Sequence, residues 1–245
     1  MVVFLLSAGS LLLFGASLEL HAQVYPRWFI EQGDIQFRSA AVGYANPSFY
    51  QDSSASQAFS NAYKNLVMQS YTKLSGGESF WETEAGVYWM GNDYSEDVDS
   101  SRLAGIPSNV KRVDVFYGKG IVISLAADGD SLLADSMKVV ASFSQKAPSW
   151  VESLPEKPGY IYAIGVSPNY FYESSSWETA EKMARRNLGF NIRVSTQALQ
   201  KIDENSGQEI RNEGISVELR HFQIAERWKD NSKNLYYVLA RMPAQ

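Results

Sequence analysis

Two stretches of this chain repeat one another without a gap, and this repeat is the strongest constraint on the fold. Pro26-Arg27-Trp28 returns as Pro148-Ser149-Trp150, and the later matches keep the spacing that separates Trp28 from Trp150. The further matched pairs are Ala41/Ala163, Val42/Ile164, Gly43/Gly165, Phe49/Phe171, Tyr50/Tyr172, Ser53/Ser175, Ser54/Ser176, Ala58/Ala180, Ala62/Ala184, Asn65/Asn187 and Leu66/Leu188. A repeat of this length is a whole domain, so the sequence predicts two tandem copies of one unit.

Copy two shows the pattern of a strand, a long helix and a closing hairpin. Residues 160–166 are rich in β-branched and aromatic side chains, which is typical of a strand. Small or apolar residues then recur mostly three or four positions apart from Ala180 to Ile202, which predicts an amphipathic helix. Residues 224–228 and 235–240 are predicted as two strands, and the polar turn between them makes a hairpin. The expected fold class is therefore α+β, with two tandem repeats that each pack a small antiparallel sheet against one long helix.

The ends of the second helix are predicted from capping signals. Ser175 and Glu178 have the spacing of a capping box, in which each side chain satisfies the backbone N–H of the other. A polar run that contains glycine predicts the end of the helix near residues 203–207. A short element is expected at about 215–222, before the hairpin.

Copy one follows the same plan with one addition. A strand at about 37–44 is expected to lead into a helix at about 54–74, with Gly76-Gly77 as its C-terminal stop. The closing hairpin is predicted at 113–125. An extra strand at 85–90, followed by an acidic loop, has no counterpart in copy two.

The repeat also divides the chain. We expect a first domain at 24–127, a connector at 128–146 and a second domain at 147–245. The connector contains several apolar residues, so it is expected to pack on a domain instead of moving freely.

The first residues resemble a signal peptide. Val2 to Ala16 is an apolar run broken only by Ser and Gly, and a small residue, Ala22, offers a cleavage site, so residues 1–22 are interpreted as a signal peptide. A basic n-region is missing. A buried N-terminal element and a retained membrane anchor are the alternative interpretations. Export to the periplasm or outer surface, as a soluble or peripherally attached protein, is the expected localisation.

Composition argues against several classes of chemistry. The chain has no cysteine, and His221 is the only histidine after residue 22, so thiolate sites and paired-histidine catalysis are excluded. No phosphate-binding, dinucleotide-binding or nucleophile-elbow motif is present. We predict no cofactor, no metal and no catalytic residues, and His221 is interpreted as partly buried beside the hairpin. A net charge of −5 gives no reason to expect nucleic acid as a partner.

The candidate binding residues lie in the strand-to-helix loop of each copy. Phe49-Tyr50 and Phe171-Tyr172 come just before a helix, close to Asn46 and Asn169, where aromatic rings can stack on a ligand. The alternative is that each aromatic pair packs under its helix as a hydrophobic staple. Because both copies keep the pair, the packing interpretation is favoured.

Charged residues differ between the copies. Asp93, Glu96, Asp97 and Asp99 form an acidic cluster in copy one, which is interpreted as a solvated loop because its spacing lacks the features of an EF-hand. In copy two, a solvated cationic helix face is expected from Lys182, Arg185, Arg186, Arg193 and Lys201.

Copy two resembles the small bacterial envelope lipoproteins called the Lpp-twenty family. The resemblance rests on Pro148 and Trp150, on residues 162–165, on the Ala180/Ala184 helix, and on Glu226-Arg227-Trp228 leading to residues 237–241. The chain is also similar to the N-terminal domain of the flagellar assembly protein T. The resemblance implies an exported α+β domain without enzymatic activity, but the chain lacks the lipidated cysteine of the family.

Three functions follow as expectations. The leading one is a non-catalytic envelope protein that binds a protein or cell-wall partner through paired modules, with no stable membrane span after signal removal. A hydrolase of envelope polysaccharide, with carboxylates between the domains, is one alternative. A structural or assembly role in a flagellar or secretion apparatus is the other.

Overall fold

The segments rich in β-branched and aromatic residues form strands, and the two segments with an alanine stripe form long helices. A computed structural model of the protein describes residues 23–37, 39–83, 86–129, 132–198 and 211–244. Within these residues the chain is an α+β structure with five α-helices and several small antiparallel sheets. The expected signal peptide, residue Lys201 and the expected helix end near 203–207 lie outside the described residues.

The described elements follow one another in a mixed order. The helices are α1 (Arg27–Ile30), α2 (Gln51–Ser70), α3 (Asp135–Lys138), α4 (Ser149–Glu152) and α5 (Glu173–Ala198). The strands are β1 (Val24–Pro26), β2 (Ala40–Ala45), β3 (Thr72–Thr83), β4 (Gly86–Asn92), β5 (Ser95–Asp97), β6 (Val110–Gly118), β7 (Ile121–Asp128), β8 (Val140–Ser142), β9 (Tyr160–Pro168), β10 (Arg211–Leu219), β11 (Gln223–Asp230) and β12 (Leu235–Pro243).

Two three-stranded antiparallel sheets each carry one long helix. The first has the order β2-β7-β6 and packs against α2, and the second has the order β11-β12-β9 and packs against α5. Asn65 donates a hydrogen bond to the carbonyl of Val42 at 2.7 Å, and Asn187 donates one to the carbonyl of Ile164 at the same distance. Each helix is therefore attached to its first strand by an equivalent side chain.

Glycine makes this close packing possible. Gly43 of β2 faces the backbone of Ala58 and Ala62, and a Cβ built there would lie 2.0 Å from the nitrogen of Ala62. Gly165 of β9 faces Ala180 and Ala184 in the same way. Strand and helix are thus in backbone contact, which only glycine permits at these two positions.

The predicted end of the first helix is wrong. Helix α2 ends at Ser70, and Tyr71 is already extended with a φ of −162°. Gly76 and Gly77 lie inside β3 instead of terminating the helix. The reason for a glycine there is steric, because Gly76 has a φ of +104° and a Cβ would lie 2.4 Å from the carbonyl oxygen of Asp93.

A four-stranded sheet joins the two halves of the chain. Its main order is β10-β3-β4, and β5 also pairs with β3. The extra strand predicted at 85–90 is confirmed as β4, and the short element predicted at 215–222 is a strand that begins and ends earlier. Leu219 of β10 pairs with Thr72 of β3, so a strand from the second half completes a sheet of the first half.

The halves also share one hydrophobic core. Phe29 lies edge-to-face against Trp177, with ring centroids 5.2 Å apart, and Trp177 meets Tyr236 in the same way at 4.7 Å. The connector contributes to this core through its buried residues Leu133, Met137 and Phe143. Among the described helices, none has both the length and the apolar composition needed to cross a bilayer.

Candidate functional site

The Phe–Tyr pairs of the two strand-to-helix loops are exposed. Phe49 and Phe171 are each 93% exposed, while Tyr50 is 72% and Tyr172 is 50% exposed. Within each pair the rings stand edge-to-face, with centroids 5.2 Å apart in the first loop and 4.9 Å apart in the second. The favoured prediction, that these rings pack under the helices, is therefore wrong.

The position of the helix starts explains this outcome. In a hydrophobic staple, the residue before the N-cap packs on the fourth residue of the helix. Helices α2 and α5 begin at Gln51 and Glu173, so their fourth residues are the serines Ser54 and Ser176. A serine offers no apolar surface to a phenylalanine ring.

Both serines hold the loop backbone. The hydroxyl of Ser54 accepts a hydrogen bond from the N–H of Ser48 at 2.9 Å, and that of Ser176 accepts one from the N–H of Tyr170 at 2.8 Å. Ser54 and Ser176 are buried, so the loops are fixed on the helices while the aromatic rings face outward. The predicted capping box at Ser175 is wrong, because α5 begins two residues before it.

The structure brings the two loop regions into contact. Ser174, at the start of α5, donates a hydrogen bond to the side-chain oxygen of Asn46 at 2.7 Å. Asn169 is used differently, since its side-chain oxygen accepts a hydrogen bond from the hydroxyl of Tyr236 at 3.0 Å. Asn46 is therefore placed near both loops, whereas Asn169 attaches its loop to β12.

Two adjoining cavities lie between α2 and α5. The outer one has a volume of ≈ 430 Å³ and is lined mainly by hydroxyl and amide side chains, including Asn46, Ser53 and Ser175. The inner one has a volume of ≈ 400 Å³ and includes charged residues of both helices. Asn61 and Glu178 line both cavities, which we call together the interhelix groove.

Two of the glutamates in the interhelix groove are engaged by arginines. Glu181 accepts hydrogen bonds from Arg227 at 2.7 Å and from the hydroxyl of Tyr44 at 2.5 Å. Glu96 is held in a bidentate pair by Arg185 at 2.8 and 2.9 Å. These carboxylates are part of the scaffold of the groove.

Glu178 stands apart from these two glutamates. Its carboxylate makes no hydrogen bond to another residue in the described part of the chain. Partial desolvation in the groove and the nearby carboxylate of Glu181 raise the pKa of Glu178, while Lys64 acts in the opposite direction. Glu178 is thus the carboxylate of this groove that remains open to a ligand.

The expectation of a solvated cationic helix face is wrong for Arg185 and correct for Lys182. Arg185 is buried in its pair with Glu96, whereas Lys182 is exposed. The guanidinium of Arg186 lies over the ring of Tyr94, 3.9 Å from its centroid. Acidic and aromatic residues of the β5 region cover part of the α5 face that was expected to be solvated.

Sequence reasoning did not identify Arg227 as a central residue. It is buried, and besides Glu181 it donates to the hydroxyl of Tyr44 and to the carbonyl of Phe29, each at 2.9 Å. Burial would lower the pKa of Arg227, but the oxygens of Tyr44 and Glu181 outweigh this and raise it. Arg227 belongs to the Glu226-Arg227-Trp228 run that carries the family resemblance, but the sequence does not show its role, because its partners come from distant segments.

The remaining candidate groups have local structural roles. A side-chain oxygen of Asp93 accepts a hydrogen bond from the N–H of Gly77 at 2.6 Å, and Asp99 accepts one from the N–H of Ser101 at 3.1 Å. His221 is exposed, with a φ of 57°, so its expected partial burial is wrong. Within the described residues, no three histidine, cysteine or acidic side chains are grouped so as to hold a metal ion.

Comparisons of the chain with protein-family models, with curated proteins and with solved structures gave no match. The exposed aromatic pairs and the interhelix groove therefore carry the functional interpretation.

Proposed function

We propose that this protein is a non-catalytic binding protein of the bacterial cell envelope that holds a protein or cell-wall partner through its two Phe–Tyr pairs. One observation carries the proposal, namely that Phe49 and Phe171 are each 93% exposed in loops that are hydrogen-bonded to Ser54 and Ser176. Exposed apolar surface rimmed by polar residues is typical of binding sites. Burial of one phenylalanine side chain stabilises a complex by roughly 1.5–3 kcal/mol.

The proposal includes a tandem duplication. Equivalent residues make equivalent contacts in both halves, as the bonds from Asn65 and Asn187 and the loop contacts of Ser54 and Ser176 illustrate. Duplication supplies two aromatic pairs on one body. Two linked contacts raise the affinity for an extended partner without any new type of contact.

The state of the groove carboxylates supports a role without catalysis. A glycoside hydrolase needs two carboxyl groups that both face the substrate. In the interhelix groove, Glu181 and Glu96 are paired with Arg227 and Arg185, which leaves Glu178 without a second open carboxylate among the described lining residues.

The envelope location in this proposal rests on the sequence. The apolar run from Val2 to Ala16 is typical of an export signal, and the resemblance to the Lpp-twenty family points to the same compartment. An assembly role in a flagellar or secretion apparatus would use the same exposed aromatic pairs and differ only in the partner.

Site-specific photocrosslinking in the native envelope tests the proposal. A benzophenone amino acid is introduced at residue 49, at residue 171 or, as a control, at Leu132, which is 97% exposed and lies in the connector. We expect discrete adducts from positions 49 and 171 and none from position 132. Absence of a specific adduct from both loop positions, in a correctly exported protein, would refute the proposal.

A further inference from the structure

We infer that the interhelix groove binds a segment of polysaccharide built from N-acetylhexosamine rings. The inference deepens the proposed function, on which it rests, by naming the class of partner. Three features carry it: the size of the groove, the chemistry of its lining, and the aromatic pairs in the loops that lead into its two helices.

The outer cavity has the size of a small-ligand site. Its ≈ 430 Å³ falls within the range of roughly 300–1,000 Å³ that is usual for such sites. The inner cavity, of ≈ 400 Å³, shares Asn61 and Glu178 with it, so the groove is elongated along the helix pair. An elongated groove suits a short stretch of a chain better than an isolated small molecule.

The lining of the outer cavity offers both donors and acceptors. The hydroxyls of Ser53 and Ser175 make no hydrogen bond to another described residue, and the side-chain oxygen of Gln57 is likewise open. Glu178 adds a carboxylate. Sugar hydroxyls act as donor and acceptor at once, and an acetamido group offers one N–H and one carbonyl. A pyranose with an acetamido group can therefore satisfy this set of groups.

The spacing of the lining residues favours an extended ligand. Ser53, Gln57, Asn61 and Lys64 lie three or four positions apart, so they share one face of α2. Ser175, Glu178 and Lys182 have the same relation on α5. The two polar faces stand opposite each other, which gives a ligand a row of contacts on each side.

The exposed rings supply the second component of sugar recognition. One face of a pyranose ring carries mainly C–H groups, and these pack against the negative face of an aromatic ring. Phe49 and Phe171 are almost fully exposed and lie two residues before the starts of α2 and α5, so they are available to rings of the glycan that extend beyond the groove.

Other occupants fit less well. The core of a protein interface is largely apolar, whereas the outer cavity has one apolar residue, Ala45, among its described lining residues apart from Tyr44. A polyanion would require an excess of positive charge. Among the open charges of the groove, Lys64 and Lys182 stand against Glu178, so the excess is a single positive charge, which is small for a polyanion site.

The test measures binding of two probes to the full mature chain. The first probe is the β-1,4-linked tetramer of N-acetylglucosamine, titrated by calorimetry. The second is a preparation of peptide-free glycan strands released from purified cell-wall sacculi by an amidase, used to compete with sedimentation of the protein on intact sacculi. Stem peptides from the same digestion serve as the control competitor.

Variants locate the binding site. We expect the double substitution Phe49→Ala/Phe171→Ala to weaken glycan binding at least about tenfold. Ser53→Ala/Ser175→Ala is expected to weaken it about fivefold through lost hydrogen bonds. Leu132→Ala, at an exposed apolar residue of the connector, should leave affinity unchanged. Thermal unfolding of each variant verifies that it is folded.

The outcomes separate this inference from the proposed function. Binding of either glycan probe that is weakened by the loop and serine variants supports the inference. Failure of both probes to bind the folded chain overturns it, and so does competition by stem peptides alone. If photocrosslinking at residues 49 and 171 still yields protein adducts in that case, the proposed binding function stands with a protein as the partner.

Discussion

Replacement of Gly43 or Gly165 by alanine tests how closely each long helix packs on its sheet. A Cβ at Gly43 would lie 2.0 Å from the nitrogen of Ala62 and 2.4 Å from the carbonyl oxygen of Ala58. A Cβ at Gly165 would lie 1.9 Å from the carbonyl oxygen of Ala180. These neighbours are backbone atoms of a helix, so no side-chain rotation can relieve the contact.

The cost follows from the displacement that the methyl group requires. Real Cβ atoms essentially never come within 3.0 Å of such atoms, so each helix has to retreat by at least about 1 Å. Overpacking of this kind costs about 1–3 kcal/mol. The displaced helix also weakens the bond from Asn65 to Val42, or from Asn187 to Ile164, which adds about 1 kcal/mol. We expect a loss of about 2–4 kcal/mol in the free energy of unfolding for each variant.

Urea denaturation followed by tryptophan fluorescence measures this loss, and thermal unfolding gives a second estimate. For a chain of this size, the expected loss lowers Tm by on the order of 10 °C. Gly105→Ala is the matched control, because no heavy atom lies within 4 Å of the added Cβ and the φ of Gly105 is not positive. It should change the free energy of unfolding by less than about 0.5 kcal/mol.

The comparison between variants decides the question. If Gly43→Ala and Gly165→Ala were as stable as Gly105→Ala, strand and helix would not be in backbone contact, and the close packing described above would be wrong. A loss at one glycine alone would show that the two helices are packed differently.

Two further predictions concern groups in or beneath the groove. Arg227→Met leaves Glu181 buried without its cation and should cost about 3–5 kcal/mol of stability. The double variant Glu181→Leu/Arg227→Met should recover most of that loss. Equal stabilities of the single and double variants in urea denaturation would contradict this reasoning. Glu178→Gln should stabilise the protein at pH 7, because the raised pKa of Glu178 means that folding disfavours its ionised form. The gain should fade as the pH falls to the ordinary carboxyl pKa of 4.5 and below, and a gain that is independent of pH would refute the electrostatic cause.

The sequence predicted the helices and strands well where short-range patterns along the chain define them. The strand before each long helix, the helices themselves and the closing hairpins occur where periodicity and turn residues place them. The matched pairs that contain Gly43 and Gly165 and the alanines that they face lie where strand and helix are in backbone contact, although the match alone does not show that contact. The boundary at Gly76 failed because a glycine can serve a helix end or a close approach, and the sequence does not distinguish these uses.

The candidate site was predicted in part. The aromatic pairs were found, but the favoured interpretation buried them, because a residue that recurs in two matched stretches of sequence can serve either the fold or a binding surface. Their exposure depends on where the helix starts, and a shift of three residues turns Ser175 from an expected cap into a residue of the first turn. The capping-box spacing does not reveal the local bond that accompanies this start, from the N–H of Tyr170 to the hydroxyl of Ser176.

Pairings between distant segments were decided by the tertiary structure. Arg185 and Glu96, Arg227 and Glu181, and the strands β3 and β10 belong to different halves or distant segments of the chain. A charged residue on a helix has the same local pattern whether it faces solvent or a partner, so periodicity alone cannot assign it.

The sequence by itself therefore determined the α+β class and the positions of the long helices and their neighbouring strands, because these depend on spacing along the chain. Only the tertiary structure decided that two polar helix faces stand opposite each other, that Glu178 remains open while its neighbours are paired, and that the rings of Phe49 and Phe171 face outward. The physical reason is that burial and ion pairing depend on which surfaces meet in space, and residues far apart in the sequence form those surfaces.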